Sequence, residues 1–337
     1  MIVVTGAPGH IGNNLVRKLL EQGQSGKIRC MVLRGESLKS LQGLDVEIVE
    51  GDVRDPVSLG AAFAGADVVY HLASVISLIP GHIDLLEAVN VRGARNVAEA
   101  CLRNGVRRLI YTSSIHALAE PPHGIPIDET ASIDPALTPL AYSKSKARGT
   151  LEVLEVASKG LDAVLLFPTG VVGPYDFKPS EVGQMLVDCA RGRMPVRLHG
   201  GYDFVDVRDV AQGHILACEK GSAGGKYILH GEYVSVDEIM DEMALLSGVP
   251  APRFKLPSSL ARAAAAVVSR MSSVSGSQPP FNTDSFATLQ SNSLVCSSRA
   301  ESELGFAPRP VRESLKDTVE WFRQAGEIGS PGDRQLR

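Results

Sequence analysis

The chain has 337 residues, of which 44% are hydrophobic and 21% are charged, with a formal net charge of -4. It can therefore bury a sizeable core, and the lack of a Lys/Arg block interleaved with aromatic residues argues against nucleic acid as a partner. Five scattered cysteines without CxxC spacing predict reduced thiols in a cytoplasmic protein rather than disulfides or zinc.

Short apolar runs alternate with helix-length periodic segments along the first two-thirds of the chain. Strands are predicted at 2–6, 28–33, 46–51, 67–73, 107–114 and 162–168, and helices at 10–23, 83–105 and 142–160. This alternation predicts right-handed βαβ crossovers. The expected fold class is therefore α/β, with a doubly wound parallel sheet covered by helices on both faces.

The first strand runs into a glycine-rich turn, TGAPGHIG, which is followed by the first predicted helix. In that setting Gly6 permits a tight turn, Gly9 lets the backbone approach a pyrophosphate, and Gly12 allows close packing of helix on strand. The positive end of the helix favours the anion. Pro8 removes one amide that could have donated to a phosphate, but the other amides of the turn are expected to suffice.

The second strand ends at LRG (33–35), where a dinucleotide-binding fold usually presents an acid to the adenosine ribose. Arg34 therefore favours NADP, because a guanidinium can clamp the 2′-phosphate or stack on adenine. Two alternatives to a 2′-phosphate site remain: Arg34 is only an exposed arginine beyond the strand, or nearby Glu36 binds the ribose of NAD. Downstream, Asp52 and the amide of Val53 are expected to hold the adenine edge, unless Asp52 is only a turn carboxylate.

Tyr142 and Lys146 are four residues apart in LAYSKSKARG, and this spacing puts both side chains on one face of a helix. A phenol titrates at about pH 10 and is a poor base at neutral pH, so a neighbouring ammonium that lowers its pKa makes it useful for proton transfer. The functional interpretation is a Tyr/Lys proton relay. A solvated helix face is the alternative, but the preceding nucleotide-binding turn and serine-bearing strand end favour the relay.

Beyond residue 168 the pattern loosens into Pro/Gly-rich loops with short strands and helices. We expect a dinucleotide-binding core at 1–168, a substrate-binding lobe at 169–326 interleaved with the last core elements, and a flexible tail at 327–337. A loop is predicted at 272–282. The apolar stretch 260–271 is too short to span a bilayer and predicts a core helix. The alternative for 260–271 is an amphipathic segment that touches a hydrophobic substrate or a membrane surface.

Other candidate sites are weaker. The first residues run straight into a strand, so no signal peptide is predicted, and no His/Cys/Asp/Glu set has metal-ligand spacing, so no metal is predicted. His116 is expected to line the pocket and His71 to make a local hydrogen bond. Neither is expected to be a catalytic base, because the Tyr/Lys pair supplies one and no nucleophile elbow is present.

Together these motifs resemble the extended short-chain dehydrogenase/reductase family. The motifs occur in the order typical of that family: TGAPGHIG, GDVRD (51–55), HLAS (71–74), NVRGARNV (90–97), YTSS (111–114), YSKSK (142–146) and FPTGVVGP (167–174). The resemblance implies a Rossmann fold in which Ser114 orients the substrate carbonyl and Tyr142 donates or accepts the proton. Lys146 would lower the pKa of Tyr142 and bind the nicotinamide ribose. Ser113 is the alternative for the serine role.

The resemblance also implies the cofactor and substrate contacts. Asn90 would organise the long helix and a proton-relay water, or else make a structural side-chain bond, and Pro168 would lie against the nicotinamide. The expected cofactor-binding residues are Gly6, Gly9, His10, Ile11, Gly12, Arg34, Asp52, Val53, Leu72, Ala73, Asn90, Tyr142, Lys146, Pro168 and Val171. The expected substrate-binding residues are Ser74, His116 and Thr169.

Within that family, segments 200–221, 226–239 and 299–322 resemble the dihydroflavonol-4-reductase-like and 3β-hydroxysteroid-dehydrogenase-like branch. Sugar-nucleotide epimerases and dehydratases typically carry an arginine before the FVDV-like segment to bind a diphosphate. Here Asp203 replaces it, and Phe167 alters the LRP-like segment. Both departures favour an uncharged or apolar substrate. The epimerase interpretation stays open, because a diphosphate could still meet Arg191, Arg193 and Arg197.

The sequence therefore predicts an NAD(P)-dependent oxidoreductase that reduces a ketone or aldehyde, or oxidises the secondary alcohol, through a Ser-Tyr-Lys proton relay. The expected cofactor is NADP, with NAD as the alternative. A nucleotide-sugar epimerase or dehydratase and a non-catalytic NADP-sensing regulator are the alternative functions. The expected partner is a small carbonyl or alcohol. No membrane span is predicted for the chain. The long helices 83–105 and 142–160 could pair in a homodimer, although the favoured branch also includes monomers.

Overall fold

A seven-stranded parallel sheet forms the centre of the computed structural model, which describes residues 1–76, 83–138, 140–263 and 289–329. The predicted loop 272–282, most of the predicted helix 260–271 and most of the predicted tail lie outside the described residues.

The strand order of the sheet reverses direction next to the first strand. The strands are β1 (Ile2–Thr5), β2 (Ile28–Val32), β3 (Glu47–Glu50), β4 (Val68–His71), β5 (Arg108–Thr112), β6 (Ala163–Pro168) and β9 (Lys226–Leu229). They are arranged in the order β3-β2-β1-β4-β5-β6-β9, with every neighbouring pair parallel. The reversal between β1 and β4 opens a crevice at the carboxyl ends of the strands, where such sheets bind ligands. The six predicted strands and the doubly wound α/β class are confirmed.

Helices cover both faces of this sheet. They are α1 (His10–Glu21), α2 (Pro56–Ala62), α3 (Ile83–Leu86), α4 (Ala94–Arg103), α5 (Ala141–Ala157) and α7 (Val207–Lys220). Successive residues of a strand point to opposite faces, so Val3 joins the core beneath α4 and α5 while Val4 joins the core beneath α1 and α7. All six residues of β6 are buried, which explains why its sequence is continuously apolar.

A smaller three-stranded sheet accompanies the central one. It consists of β7 (Gly170–Val172), β8 (Gly201–Asp206) and β10 (Glu232–Ser235), in the order β10-β8-β7. The helices α6 (Glu181–Ala190), α8 (Val236–Ser247) and α9 (Val311–Gln324) pack against it around Leu186, Met243 and Phe322. Between β8 and β10 the chain returns to the central sheet as β9, so the two sheets are interleaved along the sequence.

The long helix predicted at 83–105 is interrupted. Between α3 and α4, residues Glu87–Gly93 form a π-helical segment. Such bulges often occur at functional sites because the widened turn redirects side chains. The carbonyl of Asn90, in this segment, faces Gly149 of α5, where a Cβ atom would lie 2.0 Å from the Asn90 oxygen. A glycine at position 149 is therefore required for the contact between α5 and the π-helical segment.

A Gly149→Ala substitution is expected to lower the free energy of unfolding by at least about 2 kcal/mol, because the added methyl group collides with backbone rather than with a movable side chain. Gly60→Ala is the matched control, since its Cβ would meet nothing within 4 Å inside α2. That control should gain about 0.5–1 kcal/mol from helix propensity. Urea unfolding of both variants measures the difference, and equal midpoints would contradict the proposed close packing.

All five cysteines are free, as predicted. Burial raises the pKa of Cys30 to about 12 and that of Cys189 to about 11, which keeps both as neutral thiols at physiological pH. Within the described ranges, no helix combines the length and the apolar character that a membrane crossing requires.

Candidate active site

The glycine-rich turn has the geometry of a phosphate cradle. Gly6 has φ 69°, and a Cβ atom there would lie 2.6 Å from the amide nitrogen of Ala73. A Cβ on Gly12 would lie 2.2 Å from the carbonyl oxygen of Gly6, whereas one on Gly9 would meet only that oxygen, at 3.2 Å. No acidic side chain lies in the first turn of α1, and no side chain caps it. The amides at this positive helix end, including that of Ile11, therefore suit a pyrophosphate.

Arg34 lies exposed just beyond β2, and no other described residue bonds to it. The neighbouring acid, Glu36, closes its own turn: Leu33 N donates to Glu36 Oε2 at 3.0 Å, and Glu36 N donates to Leu33 O at 3.0 Å. The same segment is fastened to the glycine-rich turn, because Ser40 Oγ donates to Pro8 O at 2.9 Å. Arg34 is therefore available to an anionic group, while one carboxylate oxygen of Glu36 is engaged in its own turn.

Asp52 is found as a turn carboxylate, the alternative that the sequence left open. Arg54 N and Arg54 Nε each donate to Asp52 Oδ1 at 2.9 Å, and these bonds hold the pKa of the carboxyl below its usual range. The side chain of Val53 is buried against Gly93. An adenine contact at Asp52 would have to share its carboxylate with Arg54.

Ser114 and Ser113 face opposite ways, and only Ser114 approaches Tyr142. Ser113 Oγ lies 2.7 Å from Thr150 Oγ1, inside the packing of α5. Ser114 begins a short turn in which His116 N donates to Ser114 Oγ at 3.3 Å, and its hydroxyl lies close enough to Tyr142 to act on the pKa of that phenol. The alternation of side chains at the end of β5 therefore supports Ser114 for the serine role.

Lys146 is buried below Tyr142, with 2% of its surface exposed. Its Nζ donates to Thr112 O at 2.7 Å and lies 5.1 Å from the centre of the Tyr111 ring. Burial lowers the pKa of Lys146 to about 7. Burial also raises the pKa of Tyr142 to about 12, which outweighs the opposite effect of the Ser114 hydrogen bond. The expectation that Lys146 lowers the pKa of Tyr142 is therefore not met here, because desolvation dominates both groups.

Asn90 makes the structural side-chain bonds that were the alternative to a water relay. Its Oδ1 accepts from Ser74 Oγ at 3.0 Å and Val75 N at 2.8 Å, and its Nδ2 donates to Val75 O and Ser145 Oγ, each at 2.9 Å. The side chain thereby ties the strand end after β4 to α5. Ser74 is engaged in the same network, so its predicted substrate contact would compete with Asn90.

His71 forms the local hydrogen bond expected of it. Its Nδ1 lies 2.7 Å from Thr5 Oγ1, which also accepts from Ala73 N at 3.3 Å, while Leu72 N donates to Thr5 O at 3.2 Å. Leu72 and Ala73 are thus fixed beside the glycine-rich turn. Pro168 ends β6 at the same carboxyl edge, and Val171 lies in the adjoining β7.

The imidazole of His10 is directed away from the cradle. His10 Nε2 lies 3.2 Å from Gly173 O and 3.1 Å from Pro174 O. Two further side chains of α1 reach the same segment: Asn14 Nδ2 donates to Pro174 O at 3.2 Å and Asn13 Nδ2 to Tyr175 O at 3.1 Å. The predicted cofactor contact of His10 is therefore left to its backbone amide, since its side chain joins α1 to the loop after β7.

A small cleft lies next to the short turn that Ser114 begins. Its lining includes Ile115, His116, Ile127, Thr169, Tyr202 and Val295, and His116, which was expected to line the pocket, is among them. Thr169 is buried, and its Oγ1 has no partner among the described residues. Two of the expected substrate-binding residues, His116 and Thr169, are therefore brought together by the fold.

Tyr202 was not predicted as a site residue. The sequence comparison considered only its neighbour Asp203, which stands where epimerases typically carry an arginine. Asp203 Oδ2 lies 3.1 Å from His230 Nδ1, and Gly231 N donates to Asp203 Oδ1 at 3.1 Å, so this carboxylate fastens β8 to the turn after β9. Tyr202 is the residue whose ring extends toward His116. Both residues belong to the lining of the cleft, so the alternation of β8 alone could not have singled out Tyr202.

The arginines that could meet a diphosphate are engaged elsewhere. Ion pairs join Arg191 to Glu327, Arg193 to Asp188, and Arg197 to Asp237 and Asp241. None of the three lines the cleft within the described parts of the chain. In those same parts, no group of three His, Cys, Asp or Glu side chains could hold a metal ion.

Comparisons with known proteins agree with this geometry. A family model described as "NAD dependent epimerase/dehydratase family" matches residues 2–229. "Sterol demethylase protein B" of Methylococcus capsulatus is 37% identical, over 97% of this chain and 99% of that protein. "3beta-hydroxysteroid-dehydrogenase/decarboxylase isoform 1" of Arabidopsis thaliana is 31% identical, over 95% of this chain and 79% of that protein. The crystal structure of gox2253 superposes with a TM-score of 0.86 at 35% identity, covering 98% of this chain and 99% of that one.

Proposed function

This chain belongs to the NAD-dependent epimerase/dehydratase family of extended short-chain dehydrogenases/reductases, and within that family we propose that it is a ketone reductase or secondary-alcohol dehydrogenase. The observation that carries the proposal is the position of the Ser114 and Tyr142 side chains, which interact with each other next to a cleft, with Lys146 buried on the same helix as Tyr142. This arrangement can bind one carbonyl oxygen and transfer one proton to it.

In the direction of reduction, Tyr142 donates its proton to the carbonyl oxygen while Ser114 donates a hydrogen bond to the same oxygen. A nicotinamide bound at the carboxyl edge of the sheet would supply the hydride to the carbonyl carbon. The pKa of about 12 keeps Tyr142 protonated at neutral pH, as a proton donor requires. Lys146, with a pKa of about 7, can exchange protons near neutral pH and stabilise the phenolate that Tyr142 leaves.

We propose NADP as the preferred cofactor of this NAD(P)-binding site. The glycine-rich turn and the first amides of α1 would hold the pyrophosphate, and Arg34 would bind the 2′-phosphate. Glu36 supports this assignment, because its carboxylate accepts from Leu33 N instead of being free for a ribose hydroxyl. A site for NAD would more often present a free acid at this point.

Replacing Arg34 with glutamine is expected to weaken NADPH binding about 10- to 100-fold and to leave NADH binding nearly unchanged, because only NADPH loses a charge-assisted bond. Fluorescence titration of cofactor-stripped protein measures both affinities, with Arg103→Gln on the surface of α4 as the control. The as-purified protein should contain no nicotinamide. Copurified NAD(H) that resists removal, or equal effects on the two cofactors, would overturn the NADP assignment.

The alternative functions differ in what happens to the cofactor. A reductase consumes NADPH in proportion to the ketone that it reduces, an epimerase or dehydratase turns over without net cofactor change, and a sensor only binds. Loss of NADPH absorbance during incubation with a panel of neutral ketones tests the proposal. The ion pairs of Arg191, Arg193 and Arg197 speak against a nucleotide diphosphate in the cleft.

A further inference from the structure

Tyr202 and His116 are a pair of hydrogen-bonding side chains in the lining of the cleft, and Tyr142 lies close enough to Tyr202 to raise its pKa. Tyr202 Oη lies 2.7 Å from His116 Nε2, and the two rings stack with their centres 5.7 Å apart at an interplanar angle of 26°. Phe204 meets the other side of Tyr202 edge to face, at 5.7 Å between ring centres. The phenol is therefore held in one orientation by packing and by a hydrogen bond, although the proposed proton transfer does not use it.

Thr169 adds an unused hydroxyl at the same place. Its side chain is 8% exposed, and no described residue bonds to its Oγ1. A Cβ atom on the next residue, Gly170, would lie 2.8 Å from the ring of Tyr202, so Tyr202 packs directly over the backbone beside Thr169. Buried hydroxyls nearly always have a partner, so this one indicates a ligand that supplies it.

The Tyr202–His116 pair is uncharged at neutral pH. Burial lowers the pKa of His116 to about 4, and burial together with the Asp203 carboxylate raises the pKa of Tyr202 well above its usual value. A neutral phenol and imidazole can exchange donor and acceptor roles by turning the phenol proton and changing the tautomer. The pair can therefore accept from a hydroxyl or donate to a carbonyl without becoming ionised.

The charges around the cleft disfavour anions. Two carboxylates, Glu120 and Asp203, belong to its lining, and no lysine or arginine does among the residues that the structure describes. Asp203 is partly compensated by His230, whereas Glu120 Oε2 accepts only a backbone bond, from Asn292 N at 3.3 Å. A carboxylate or phosphate placed here would be repelled and would lose its hydration.

We propose that Tyr202 and Thr169 form a second oxygen-binding subsite, which takes a neutral hydroxyl or carbonyl group of the substrate remote from the reacting carbon. His116 is the positioning residue for Tyr202. The substrate class that follows is a neutral molecule with two oxygen functions on an apolar skeleton, which packs on Ile115, Ile127 and Val295. This inference rests on the proposed reductase function, since Ser114 and Tyr142 must bind the first oxygen.

The test uses matched ketones that differ only at the remote position. Cyclohexanones and decalones bearing a hydroxyl, a methyl or a carboxylate group opposite the ketone are supplied with NADPH to the wild type, Tyr202→Phe and Thr169→Val. We expect the wild type to prefer the hydroxyl to the methyl compound by about tenfold or more in kcat/KM and to disfavour the carboxylate. Both variants should bring the ratio of the two kcat/KM values close to one, which a general structural defect would not do because it lowers both values alike.

Two outcomes would overturn the subsite and leave the reductase standing: equal use of the hydroxyl and methyl compounds by the wild type, or an unchanged preference in both variants. If no ketone is reduced, the reductase proposal fails separately. The subsite is then tested by saturation-transfer NMR on the NADP⁺ complex with the same compounds. Hydroxyl-selective binding that Tyr202→Phe abolishes would support it, and unselective or absent binding would refute it.

Discussion

Replacing Tyr142 with phenylalanine is expected to lower kcat by about 10²- to 10⁴-fold, because the change removes the proposed proton donor while preserving the ring. The Kd for NADPH should stay within about threefold of the wild-type value. The free energy of such a change is smaller than the contribution of one ordinary hydrogen bond. Steady-state rates with a reducible ketone, combined with fluorescence titration of NADPH, measure the two quantities on the same preparation.

The control for this variant is Tyr233→Phe, which removes the hydroxyl of an exposed tyrosine on β10. It should retain the wild-type rate. Full activity of Tyr142→Phe would refute the proton-transfer role. Loss of NADPH binding in that variant would show instead that the phenol holds the cofactor site together.

The Lys146→Met variant is expected to lose turnover and yet to be more stable than the wild type at pH 6. The pKa of Lys146 falls from 10.5 to about 7 on folding, so the folded state binds fewer protons than the unfolded state between these values. The cost of burying the lysine is therefore complete below pH 7 and fades as the pH rises toward 10.5. The full shift corresponds to a few kcal/mol, on the order of 1.4 kcal/mol for each pKa unit.

Urea unfolding at a series of pH values between 6 and 10 measures this effect, with Lys144→Met as the control. Lys144 lies exposed on the same helix, two residues away, and its replacement should leave the pH dependence unchanged. The stability advantage of Lys146→Met should shrink as the pH rises. A constant difference across the range, or retained turnover, would contradict the environment and the role assigned to Lys146.

The features predicted from the sequence are those that local residues determine. The run AVLLFP predicts β6, because a strand buried on both faces needs continuous apolar side chains. TGAPGHIG predicts the phosphate cradle, because the positions of its glycines follow from backbone contacts within and next to the turn. Ser114, Tyr142 and Lys146 were nominated by motif order, and the fold brings them together.

The features that escaped prediction depend on residues far apart in the chain. The raised pKa of Tyr142 results from burial, and Lys146 four residues away is not among the groups that lower it. Arg191 could not be excluded from a diphosphate site until Glu327 was found beside it, and that partner is 136 residues away. Tyr202 was overlooked because the direction in which a strand residue points is known only once the neighbouring strands are known.

The bonds from His10, Asn13 and Asn14 to the carbonyl groups of residues 173–175 bear on how this protein could exchange parts with its relatives. Helix α1, which begins the proposed cofactor site, also hydrogen-bonds to the loop after β7, the first loop of the proposed substrate lobe. A chimaera joined at residue 168 would pair a foreign loop with this helix. The three polar side chains would then lose their hydrogen-bond partners. A donor lobe is therefore interchangeable only when it brings a loop that these side chains can bind, so an exchange that keeps these bonds must move the lobe and the first helix together.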